Sequence, residues 1–257
     1  MRILLTNDDG IYSPGIYALY KKLRRLAECT VVAPDAERSA QGHAITLNVP
    51  LRVNRVKREG KFFGYAVSGT PADCVKIALM AIMKGKLKPN LIISGINRGP
   101  NLGINILYSG TVSGATEGAI LGVPSFAVSL ASFKWSNFEL ALTFSYKLAK
   151  LMLKRELPVH TLLNVNVPAL LKSKIKGVKI TRQGISTFYR ESYDRREDPS
   201  KRVYYWLRSQ KTKIEGNEMT DAIAIKNGYI SVTPLHYDMT DYDDLELLTQ
   251  WEKALHL

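Results

Sequence analysis

Short apolar runs of strand length recur along the first part of the chain, with amphipathic stretches between them. The runs cover residues 3–6, 30–33, 91–94, 124–130 and 161–167. They are continuous rather than alternating, which is the pattern of strands covered on both faces. Between the first two, Ser13-Pro14 supplies a cap residue and a proline suited to a first helical turn. Ile16, Leu19, Tyr20, Leu23 and Leu26 then follow at helical spacing, with Lys21, Lys22, Arg24 and Arg25 mostly on the other face. Thr70-Pro71-Ala72-Asp73 opens another helix, towards Met83, and residues 111–121 and 138–153 give two more. Strand, helix and strand in this order require right-handed parallel crossovers. The expectation is an α/β fold with a doubly wound, mostly parallel sheet.

The rest of the chain is less regular. Residues 44–66 hold three candidate strands, around 45–48, 51–57 and 62–66, read as an antiparallel elaboration. Residues 177–182 give a further strand. From 184 to 220 charge is mixed with Phe188, Tyr189, Tyr193, Tyr204, Tyr205 and Trp206, without a helical period. Six aromatics are too apolar for a free loop, so this segment is expected at subunit contacts. An intrachain hairpin over the functional site is the other reading. Residues 229–233 return to strand character, and 241–255 read as a closing amphipathic helix. The organisation expected is a core at 1–183 and an extension at 184–257.

Charge bears on partners. Lys plus Arg number 36 against 23 Asp plus Glu, a net +13 that invites anionic ligands. The excess is local: residues 170–213 carry thirteen basic and four acidic side chains, whereas 214–257 carry two and nine. Neighbouring segments can therefore neutralise one another, and nucleic acid is not an expected partner. No apolar run approaches the ~18 residues of a membrane span. The N-terminal run stops at Asn7 without the order of a secretory leader. Cys29 and Cys74 lie in apolar contexts with no C-x-x-C spacing. Reduced thiols, a cytoplasmic location and no membrane partner are expected.

The first run ends in Asn7-Asp8-Asp9-Gly10. Adjacent side chains of an extended strand point to opposite faces, so the two carboxylates converge only across a turn, which Asn7 and Gly10 permit. Close carboxylates need a shared proton, a basic partner or a cation; a solvated Asp-Gly turn is the plainer alternative. Ligands of open α/β sheets bind beyond the carboxyl ends of the strands. Three loops reach that edge, carrying Asp8 with Asp9, then Ser39, then Asn97 with Asn101. These donors are hard oxygens, which favours Mg²⁺ or Mn²⁺ over zinc. The glycines at 95, 99 and 103 let backbone approach a ligand, but G-x-G-x-x-G is missing, which argues against a dinucleotide oxidoreductase. Ser109-Gly110-Thr111 opens a helix and is either an anion site or ordinary capping. His43 is a candidate proton donor and Arg98 a candidate phosphate partner, although each also fits a solvated loop. Together these residues point to phosphoryl chemistry.

The same residues fall in motifs. Asn7-Asp8-Asp9-Gly10, Val32-Ala33-Pro34-Asp35 with Glu37-Arg38-Ser39 and Gly42-His43, Ser68-Gly69-Thr70-Pro71-Ala72-Asp73-Cys74, Ser94-Gly95-Ile96-Asn97-Arg98-Gly99-Pro100-Asn101 and Ser109-Gly110-Thr111-Val112-Ser113-Gly114-Ala115 resemble, in order, the motif set of the SurE family. Asn164-Val165-Asn166-Val167-Pro168 and Thr181-Arg182-Gln183 extend the likeness. The resemblance implies a Rossmann-like core and a divalent-metal-dependent phosphatase, a 5′-nucleotidase of some breadth acting on nucleoside monophosphates. It further implies a C-terminal extension exchanged between subunits of a homodimer or homotetramer. By matching positions, one Mg²⁺ or Mn²⁺ per subunit is expected on Asp8, Asp9, Ser39 and Asn97, with Asp8 and Asp9 also catalytic. Asn101, Ser109, Gly110 and Thr111 match the phosphate contacts. Attack by water is expected; a nucleophilic aspartate is disfavoured because these carboxylates are adjacent rather than spaced Asp-x-Asp. The rival readings are a nucleic-acid-binding protein, resting on the +13 and the aromatic basic segment, and a nucleotide sensor without turnover.

Overall fold

The computed structural model describes the whole chain except residues 135–136, 156, 186–188, 212–218 and 256–257. Its elements run β1 (Arg2–Thr6), α1 (Pro14–Leu23), β2 (Glu28–Pro34), β3 (Val53–Arg58), β4 (Lys61–Val67), α2 (Pro71–Ile77), β5 (Leu91–Arg98), α3 (Gly110–Ile120), β6 (Ser125–Leu130), α4 (Glu139–Met152), β7 (Leu162–Val167), β8 (Gly177–Ile180), β9 (Tyr189–Glu197), β10 (Val203–Lys211), α5 (Asp221–Lys226), β11 (Tyr229–Leu235) and α6 (Leu245–Thr249).

Strand β1 shows why the pattern folds this way. Ile3 and Leu5 point to one face of the sheet, where they join Ile16, Leu19 and Leu23 of α1 and Ala141 and Leu148 of α4. Leu4, one residue out of phase, points to the other face and packs with Cys74 and Val75 of α2. Val112, Ala115 and Ala119 of α3 cover that second face further along, against Ala127 and Leu162. The nine strands are ordered β3-β4-β2-β1-β5-β6-β7-β11-β8. From β4 to β7 every pairing is parallel. β3 is antiparallel to β4, and β11 is antiparallel to β7 while running parallel to β8. After β1 the chain builds outward on one side, to β2 and β4, then returns to lay β5 on the other. The loops leaving β1 and β5 therefore diverge, and a crevice opens at this switch point.

Four expectations need correction or refinement. Residues 45–48 form no strand. The Thr46 amide donates to Asp73 Oδ1 (2.9 Å) and its hydroxyl to Asp73 Oδ2 (2.6 Å), so a side chain takes the bond that a ladder would have used. Asp73 also closes the capping box of α2 with Thr70, as the spacing predicts. Ser13 sits at the N-cap of α1 without a side-chain cap bond; its Oγ accepts from Asn7 Nδ2 instead. The strand beginning at Leu91 does not stop at Ser94 but continues to Arg98 through a bulge between Gly95 and Asn97. Bulges re-aim side chains, and Asn97 and Arg98 leave the sheet edge from a strand rather than a free loop.

The closing helix at 241–255 shrinks to α6 and a single turn at Glu252–Ala254. Leu247 and Trp251 stay more than half exposed. Amphipathic helices owe their stability to packing, and here no surface of the described chain covers the apolar side. The segment after 184 contains a β9–β10 hairpin with Trp206 opposite Asp194, forming its own two-stranded sheet. Phe188 and residues 212–218 of that segment lie outside the described residues.

Candidate active site

β1 ends at Thr6, and the turn that follows is fixed by its own side chains. Asn7 Nδ2 donates to the Gly10 carbonyl (3.0 Å) and to Ser13 Oγ (2.9 Å), and Gly10 takes a φ of +87°, which other residues rarely adopt. The loop after β2 is joined to this turn by two backbone bonds, Ile11 N–H to the Pro34 carbonyl and Arg38 N–H to the Asp8 carbonyl, at 2.8 and 2.7 Å. Ser39 is thereby carried to Asp8 across 31 positions of sequence. Its hydroxyl donates to Glu37 Oε1 (2.7 Å), which leaves the oxygen lone pairs for a ligand. From β5, Asn97 Nδ2 donates to the Gly99 carbonyl (2.9 Å), so the atom left for a cation is Oδ1.

Asp8, Ser39, Asn97, Asn101 and Ser109 line one cleft of about 450 Å³. Asp9, Gly110 and Thr111 stand behind this lining. The Thr111 hydroxyl donates to Asp8 Oδ1. A side chain on Gly110 would put its Cβ 2.8 Å from Asp8 Cβ, so the missing side chain makes room for the carboxylate itself. Burial raises the Asp8 carboxyl above the ordinary carboxylate range, against the pull of the Thr111 bond. Asp9 is pushed up to about 7 by burial first, then by the charges of Asp8 and Glu37, with Arg98 partly offsetting them.

This arrangement fits a hard divalent cation. Three oxygen-bearing side chains, Asp8, Ser39 and Asn97, line the cleft with Asp9 next to Asp8 in the chain, and both carboxylates are disfavoured as anions by burial, Asp9 also by the charge of Asp8, which a bound cation would offset. Asp8, Asp9, Ser39 and Asn97 are the residues that would hold it. Ser109 caps α3 by accepting from Val112 N–H (3.1 Å), and its own O–H remains to be given. The amides of the first turn of α3 are largely committed: Val112 N–H goes to Ser109 Oγ, Ser113 N–H to the Ser109 carbonyl, and Thr111 N–H reaches the Asp8 carboxylate.

Other sequence candidates behave differently. Asn101 is clamped by β7: its amide donates to Asn166 Oδ1, and its carbonyl accepts from Asn164 and Asn166 Nδ2, each at 2.9 Å. Its own Nδ2 donates inward to Ser129 Oγ (2.8 Å). His43 is not brought to the cleft. Its Nε2 lies 2.8 Å from Glu117 Oε2, while Lys76 Nζ holds the other Glu117 oxygen at 3.0 Å. The ring faces a separate, larger cavity between α3 and residues 234–243. Arg98 does line the cleft.

Sequence reasoning did not find Tyr108, Phe133, Glu191 and Leu207, which also line it. Only the hairpin reading of the segment after 184 carried a signal for the last two. Asn164 and Asn166 read as strand residues, and their hold on Asn101 is visible only in three dimensions.

Fold and cleft together define a Rossmann-like α/β protein with an oxygen-donor site at the switch point of its sheet. The family model "Survival protein SurE" matches residues 3–190, and the chain belongs to the SurE family. It is 50% identical over 251 residues to "5′-nucleotidase SurE" of Syntrophobacter fumaroxidans, covering 98% of this chain and 99% of that relative. A protein of the same name from Syntrophus aciditrophicus is 52% identical over 248 residues, covering 96% and 92%. The crystal structure of SurE protein from Aquifex aeolicus superposes with a TM-score of 0.85 at 44% identity, covering 98% of this chain and all of that one.

Proposed function

We propose that this chain is a divalent-metal-dependent 5′-nucleotidase that hydrolyses nucleoside monophosphates to nucleoside and phosphate. The observation that carries the reading is the meeting of Asp8, Ser39 and Asn97 in one cleft beside the N-terminus of α3. A bound divalent cation supplies polarisation of a phosphoryl oxygen and a lowered pKa for water. The chain does the rest. Thr111 and Gly110 fix the Asp8 carboxylate, and Glu37 fixes the Ser39 hydroxyl. Ser109 O–H, with Arg98 beside it in the cleft, stabilises the charge that spreads over the equatorial oxygens as the ester bond breaks. The all-oxygen donor set supports Mg²⁺ or Mn²⁺ as the cation.

Pairing within the hairpin weighs against a nucleic-acid partner. Arg196 and Arg208 both bind Asp194, and Arg195 and Arg202 bind Glu197 and Asp198, all within 3.0 Å. Four of the thirteen basic side chains at 170–213 are thus held by carboxylates of the same segment. The deciding assay is phosphate release from a panel of nucleoside monophosphates by metal-stripped protein, with Mg²⁺, Mn²⁺ or excess EDTA. Turnover is expected only with added metal; full turnover in EDTA would overturn the metal requirement.

The same reading makes the hairpin and the α6 region subunit contacts of a homodimer or homotetramer. Exposed Tyr205, Trp206, Leu247 and Trp251 support it. No helix among the described residues is long and apolar enough to cross a membrane, so a bilayer-spanning helix does not account for these side chains. Light scattering should return a multiple of the 28.8 kDa chain mass, and a monomer at micromolar concentration would contradict it.

A further inference from the structure

We infer that the cleft holds the nucleobase of its substrate as well as the phosphate, on the exposed ring of Phe133. The inference rests on the 5′-nucleotidase reading and concerns what else that site recognises. A Cβ on Gly99 would stand 2.3 Å from Phe133 Cε1, so the ring is seated against bare backbone of the strand end that carries Asn97. The seat holds the ring while leaving the residue 63% exposed. Tyr108 and Leu207, 59% and 50% exposed, line the same cleft. Single exposed apolar side chains are ordinary. Here three share one small cleft that Asp8, Ser39, Asn97 and Ser109 also line, and one of them is held in place by a glycine.

A ligand suited to this cleft has an anionic end and a flat apolar end. A nucleoside monophosphate has both. Stacking needs only a π-face, which every base presents, so this device separates phosphates that carry a base from phosphates that do not. It gives little preference among bases. Leu207 belongs to the β9–β10 hairpin and brings a further apolar surface to the same cleft.

The test compares kcat/KM for four nucleoside monophosphates with that for ribose 5-phosphate, in wild type, Phe133→Ala and Phe133→Tyr. Wild type should favour the nucleotides over ribose 5-phosphate by about tenfold or more, as one stacked base implies. The spread among bases should be smaller than that. Phe133→Ala should lose most of the preference through KM, and Phe133→Tyr should restore it. If Phe133→Ala keeps the preference, or lowers both substrate types alike, the stacking role is wrong while the nucleotidase reading stands. If wild type releases phosphate from no substrate, the nucleotidase reading fails. Fluorescence titration with etheno-AMP, without metal, then decides the subsite alone. Binding that Phe133→Ala weakens about tenfold upholds it; binding the variant retains, or none in wild type, overturns it.

Discussion

Asp8→Asn is expected to cut phosphate release roughly a thousandfold or more, in line with the loss of a principal electrostatic group from an active site. The metal-free variant should nevertheless melt no lower than wild type. Asparagine is nearly isosteric and still offers an oxygen to the Thr111 hydroxyl, while the charge it removes is one that burial and, less, the Glu37 charge disfavour. Asp9→Asn should show the same split, with a pH signature. The Asp9 carboxyl rises from 3.8 to about 7 on folding, so the metal-free folded state binds its proton more tightly than the unfolded chain does. This contribution favours folding fully at pH below the unfolded value and is lost as pH rises towards 7. Removing the group should flatten that decline, by on the order of 1–2 kcal/mol once solvent screening of a partly exposed carboxyl is allowed for. Thermal melts of EDTA-treated protein at pH 5 and 7.5, beside kinetics with metal, measure both effects. A large loss of metal-free stability with activity retained would make these carboxylates scaffolding.

Gly110→Val should abolish most activity by a different route. Its Cβ would meet Asp8 Cβ at 2.8 Å, Asp8 Oδ2 at 3.2 Å and the Arg38 carbonyl at 3.3 Å. Neither the turn after β1 nor the loop after β2 can yield without moving a ligand. Overpacking of this kind costs about 1–3 kcal/mol of stability, and the displaced carboxylate should lower kcat/KM about a hundredfold or more. Gly110→Ala should fall between. A folded valine variant with wild-type kinetics would show that Asp8 has slack the structure does not reveal. From sequence, the same glycine reads as space for phosphate; the structure gives that space to Asp8.

The sequence carries the central sheet because its strands are buried on both faces and therefore spell continuous apolar runs, as Ile3, Leu4 and Leu5 do. It carries the metal-type donors because polar residues that end such runs have one place to go, the carboxyl edge. What it hides depends on partners distant in the chain. Residues 45–48 have strand composition, but Asp73 takes the hydrogen bonds of Thr46. By its sequence Asn97 follows a strand, which a bulge between Gly95 and Asn97 in fact prolongs. His43 is bound by Glu117, 74 positions on, which no local pattern announces. The helix expected at 241–255 has the right period but lacks a surface to pack on. Phe133 looks like any loop phenylalanine until Gly99 is found beneath it.

The placement of β1 has a consequence for how the cleft breathes. This strand has paired neighbours on both sides and packed helices on both faces, whereas the hairpin bearing Glu191 and Leu207 shares no ladder with the main sheet. Amide protons of β1 therefore exchange with solvent only in openings close to global unfolding, and those of the hairpin, in a protomer separated from its subunit partners, in far smaller ones. The two sides of one cleft sit at opposite ends of the protein's range of opening free energies. Excursions that widen the mouth leave the Asp8–Asp9 turn in register, so substrate admission and carboxylate geometry vary independently of each other.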